Sequence, residues 1–67
     1  MNNYKDGIVE ALKLKLEGEI AAHKVNINIM MGSHVGVAEH PDLIATIDGE
    51  LEKLATAADK LNTLELI

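Results

Sequence analysis

Ile44, Ile47, Leu51, Leu54, Ala58 and Leu61 step along the second half of the chain at alternating spacings of three and four residues. At 3.6 residues per turn, that spacing stacks the side chains into one stripe, so the segment is expected to be a helix with a single apolar seam. The first half obeys the same period but carries two stripes. Ile8, Val9, Leu12, Leu16, Ile20, Ile27, Met30 and Met31 gather on one side, with His23 among them. Ala11, Leu14, Gly18, Ala21, Ala22, Val25 and Ile29 gather on the opposite side. Two helices folded against each other cover only one face of each. The fold expected is therefore an all-α antiparallel two-helix hairpin whose first helix keeps a spare apolar face.

Size gives that face a use. A single domain of 67 residues is close to the length at which one chain struggles to bury enough apolar surface to offset the entropy of ordering it. Small proteins add disulfides, metals or further subunits. The chain has no cysteine, which leaves assembly as the remaining support. Leu14, Gly18, Ala21, Val25 and Ile29 are thus the expected oligomer interface, their small members allowing another helix to come close, and the assembly expected is a helical bundle of hairpins. The apolar content is Ile, Leu, Val, Ala and Met with Tyr4 as the sole aromatic. Such a core suits helices better than a small sheet.

Along the chain, Asn2 or Asn3 can cap the first helix and Asp6 sits in its first turn, where a carboxylate complements the dipole. Gly7 and Gly18 each weaken that helix by roughly 1 kcal/mol relative to alanine. The alternation Val25, Ile27, Ile29 allows a rival strand over Lys24 to Met31, but a lone strand has nothing to pair with. Gly32, Ser33 and Gly36 end the first helix, and Pro41 with Asp42 opens the second, which is expected to run to about Leu64. The loop from Gly32 to His40 is longer than the roughly 2–8 residues usual between packed helices.

Charge narrows the partners. The net charge is −5, with six lysines and no arginine; no basic cluster or aromatic stacking set marks a nucleic-acid surface, and none is expected as a partner. No apolar run approaches the roughly 20 residues that span a bilayer, and the opening Met1-Asn2-Asn3-Tyr4-Lys5-Asp6 has no signal-peptide pattern. A soluble, cytoplasmic protein is expected.

Three groups of residues could carry chemistry. His34, Glu39, His40 and Asp42 fall close together in and after the loop, and imidazole with carboxylate suits divalent metals. Their spacing matches no zinc pattern, so no metal or cofactor is expected, and capping of the second helix or contact with a partner is the simpler role. A histidine general base in this group would need a walled pocket that a hairpin has only at a subunit interface. No enzyme is expected. His23 stands on the seam where leucine would fit, its nitrogens satisfied by a neighbour such as Glu19 or by the facing helix. Tyr4, Lys5 and Lys24 are the candidates for holding a small anionic ligand between subunits.

The stretch Val35-Gly36-Val37-Ala38-Glu39-His40-Pro41-Asp42, followed by the Ile- and Leu-spaced helix, resembles short proteins of unassigned function encoded by tailed bacteriophages, including those of cyanobacteria. Those proteins carry a similar V-G-x-x-E-H-P-D loop after an amphipathic helix, and the likeness covers about half of this chain, from Met30 to Leu64. It implies a viral source and a helical shape, not a reaction. The matching loop positions are Gly36, Glu39, His40, Pro41 and Asp42, and with His34 just upstream they are the candidates for contact with a partner. This chain departs from the pattern where Met31-Gly32-Ser33-His34 stands in place of an Asn-Pro pair. The function expected is that of a small phage-type accessory protein, an oligomeric module that binds itself and a host or phage protein without catalysis. The alternatives are a protein that sequesters a nucleotide-type signal in pockets between subunits, and a minor component of the virion.

Overall fold

The computed structural model describes residues 4–32 and 42–67. Helix α1 spans Tyr4–Met31 and helix α2 spans Leu43–Leu64. They pack against each other along their lengths and run in opposite directions: Lys5 Nζ donates to the Ile67 carbonyl at 3.2 Å, while His23 meets Glu50 further along. The described residues contain no strand, and the segment Lys24 to Met31 continues α1 without a break. Gly32 N–H still donates to the Asn28 carbonyl at 3.1 Å. The suggested caps Asn2 and Asn3 lie outside the described residues.

Asp42 is the N-cap of α2. Its carbonyl accepts from Thr46 N–H at 2.9 Å, and its side chain makes no capping hydrogen bond. Pro41 lies outside the described residues. At the other end, Glu65, Leu66 and Ile67 each donate to the carbonyl three residues back, which tightens the last turn and satisfies carbonyls that the helix leaves open.

The seam of α2 differs from the one expected. Ile44 is 82% exposed and Leu51 45%. Ile47, Leu54, Ala58 and Leu61 of the expected seam do turn inward, and Leu43, Glu50, Ala57 and Leu64 join them; Leu43, Ile47, Glu50, Leu54, Ala57, Leu61 and Leu64 are spaced alternately by four and three. The helix is thus rotated by about 50° from the setting that apolar periodicity alone selects, at about 100° per residue. A carboxylate takes the place of a leucine at the centre. From α1 the inward residues are Val9, Leu16, Ile20, His23, Ile27 and Met30, whereas Ile8, Leu12 and Met31 of the expected seam are exposed. The core is thin: among the described residues only Leu16, Ile27 and Ala57 are buried hydrophobic side chains, and none is completely enclosed.

Candidate functional site

Halfway along the seam, three polar side chains meet. Glu50 of α2 is buried. Asn26 Nδ2 donates to its Oε1 at 2.7 Å, and the same oxygen lies 3.1 Å from His23 Nδ1. An ionised carboxylate only accepts, so His23 must carry its proton on Nδ1, whatever the state of Nε2. Lys53, one turn on in α2, brings its ammonium to 3.6 Å from Glu50 Oε2. No buried side-chain nitrogen or oxygen among the described residues lacks a hydrogen-bond partner.

This surrounding fixes the charge on Glu50. The Asn26 amide, and after it the His23 ring, hold the Glu50 carboxyl below its ordinary value; burial pushes the other way, and positive charge at His23 and Lys53 adds to the lowering. The rotation of α2 follows from the same contacts. His23 and Asn26 lie three residues apart on one edge of α1 and present two donors to the facing helix. With Leu51 inward the half-buried His23 ring would lose this acceptor, whereas with Glu50 inward both it and the exposed Asn26 amide are satisfied.

The expectation that His23 finds its partner on the facing helix is met by Glu50. Glu19 instead pairs with Lys15 at 3.2 Å on the surface of α1. The sequence alone singles out none of Glu50, Lys53 and Asn26. The signal was present: Glu50 keeps a four-three register with Leu43, Ile47, Leu54, Ala57, Leu61 and Leu64.

Two grooves flank the seam. One, of about 370 Å³, is lined by Glu19, His23, Glu52, Lys53, Thr56, Ala57 and Lys60. The other, of about 430 Å³, is more apolar and runs between Leu12, Leu16, Leu64 and Ile67 with Lys15 and Lys60 at its rim.

On the side of α1 away from the seam, Leu14, Val25 and Ile29 are 60%, 55% and 66% exposed. Gly18 and Ala21 between them are also exposed. Nothing stands within 4 Å of the position a Cβ would take at Gly18. The five residues therefore form one face that the hairpin leaves uncovered. Tyr4 and Lys5 sit at the start of α1, while Lys24 is some 20 residues on, about 30 Å away at 1.5 Å per residue; within one chain they do not converge. His34, Gly36, Glu39 and His40 lie outside the described residues, and no group of three or more His, Asp or Glu side chains able to hold a metal ion occurs among the described ones. Comparison with protein families, with curated proteins and with solved structures finds no match for this chain.

Proposed function

We propose that the chain is a non-catalytic, self-associating interaction module, a small accessory protein of the tailed-phage kind that presents an acidic helical surface to a host or phage protein. The observation that carries the reading is the uncovered apolar face of α1 on a hairpin with so thin a core. An isolated hairpin would leave Leu14, Val25 and Ile29 in water, whereas subunits packed through them gain the burial that each lacks. In this reading the protein acts in the host cytoplasm; neither described helix is long and apolar enough to cross a membrane.

Native mass spectrometry of the purified chain tests it. An oligomer of bare 7.2 kDa chains is the result expected. A monomer would overturn the reading, and additional mass in proportion to subunit number would replace it with ligand sequestration. Ligand sequestration would also raise the melting temperature with nucleotide, since a ligand at 100 times its Kd adds about 2.7 kcal/mol of stability.

A further inference from the structure

We infer that the outer face of α1 binds a second copy of the chain antiparallel to itself, about a two-fold axis passing beside Gly18. The inference rests on the self-association proposed above and specifies its geometry.

Counted outward from Gly18 in both directions, the residues of this face are matched large against small: Leu14 with Ala22, Ala11 with Val25, Gly7 with Ile29. A two-fold at Gly18 sets each of these against its match on the other copy, so that large side chains enter the spaces left by small ones. A parallel pair would set Leu14 against Leu14 and Gly7 against Gly7, crowding one layer and emptying another.

The glycines point the same way. Neither Gly7 nor Gly18 has an atom within 4 Å of where a Cβ would stand, so the hairpin itself needs neither, and glycine weakens a helix interior. In the two-fold pair, Gly18 lets the helices cross closely and Gly7 receives the partner's Ile29.

Charge along the edges is complementary too. A two-fold of this kind lays each edge of the face against the same edge of the other copy. Glu10 then meets the partner's Lys24, and Lys15 meets the partner's Glu19, each offset by two residues, about 3 Å along the axis. Symmetry makes every such pair twice. Glu17 on one edge and Glu19 on the other fall beside their own copies near the axis, like-charge contacts that Lys15 offsets only on the Glu19 edge, so Glu17→Gln is expected to tighten the dimer.

The chain has no cysteine, so single cysteines introduced into the full-length protein report the geometry under mild oxidation. Gly18→Cys is expected to form a covalent dimer, because the two-fold brings its Cα atoms near the roughly 4.4–6.8 Å that a disulfide requires, and the S–S bond holds the pair although the added side chains weaken its non-covalent contact. Leu14→Cys alone is expected not to, lying about 12 Å along the axis from its own copy; it also serves as the control for random collision. An equimolar mixture of Leu14→Cys and Ala22→Cys is expected to give the mixed dimer. Circular dichroism of each variant confirms that the helices remain, and native mass spectrometry of the unaltered chain is read alongside. An oligomer with both cross-links supports the geometry. An oligomer in which Leu14→Cys links to itself, or in which none of these positions links, overturns it while leaving self-association intact; a monomer overturns both.

Discussion

The face of α1 that the hairpin buries carries His23, with the exposed Asn26 at its edge, against Glu50, whereas the face that it leaves open, Gly7, Ala11, Leu14, Gly18, Ala21, Ala22, Val25 and Ile29, has no polar side chain among these residues. The two faces are specified by different physics. A buried polar contact adds little stability over an apolar pair of the same volume, but it penalises every register in which its donors lose their acceptor. The inner face therefore fixes which residues of α2 turn inward. The outer face has no such label, and what it can select it selects by shape.

The sharpest break in this comparison comes from two leucines, two positions apart, on opposite faces. Leu16, 5% exposed on the inner face, is expected to cost about 3 kcal/mol when cut to alanine, within the usual range for a buried leucine. Leu14→Ala would stay within about 0.5 kcal/mol if water covers the outer face. In a self-associated protein it instead costs a large part of the Leu16→Ala effect, and the loss grows as the protein is diluted. Urea melts of both variants at two protein concentrations decide between these; equal insensitivity of Leu14→Ala at both would leave the outer face bare.

Val25→Asp probes the same face by charge. In a lone hairpin the substitution sits in water and changes little. Across a subunit interface it buries an unpaired carboxylate, which is expected to shift the protein to monomer in sedimentation velocity while the helical circular dichroism persists. Retention of the wild-type sedimentation coefficient would break the comparison at its outer side.

How much of this was legible beforehand follows from the same contrast. The hairpin, the helical character of residues up to Met31 and the uncovered stripe through Leu14 and Val25 were all readable, because each depends only on the period of apolar residues. The setting of α2 was not. The apolar residues of α2 fit two settings, one through Ile44 and Leu51 and one through Leu43, Ala57 and Leu64 that carries Glu50 inside; the choice between them lies on α1, in His23 and Asn26, and only the pairing of two helices brings it to bear. Lys53 joins the cluster for the same reason. Tyr4, Lys5 and Lys24 lie too far apart along α1 to meet within one chain, so any site they share is one between subunits.

Acid reads the inner face directly. Since the folded protein holds the Glu50 carboxyl below its ordinary value of 4.5, the unfolded chain takes up a proton there first as pH falls. Glu50 thus contributes stability that is fully present above 4.5 and is lost as pH drops through the lower folded value. The expected result is a melting temperature that declines more steeply below that point in the wild type than in Glu50→Gln, whose amide oxygen still accepts from Asn26. Because the other carboxylates are common to both proteins, the difference between the two profiles isolates this contact. Parallel profiles would mean that the inner face is held by its apolar layers alone.

The smallest effect separates the faces by sign rather than size. Gly49 in α2 and Gly18 in α1 both sit in helix interiors with nothing within 4 Å of an added Cβ. In a lone hairpin, alanine at either position is expected to stabilise by about 0.4–1 kcal/mol, because it restricts the unfolded chain and suits the helix. Gly49→Ala keeps that gain in any assembly built on the outer face of α1, since it lies on the other helix. Gly18→Ala does not: where two copies cross at Gly18, the new methyl groups force the helices apart, so the gain shrinks or reverses as protein concentration rises and returns on dilution. Equal and concentration-independent gains at both positions would show that no helix approaches Gly18, and the outer face would then have to be covered in some other way than by its own copy.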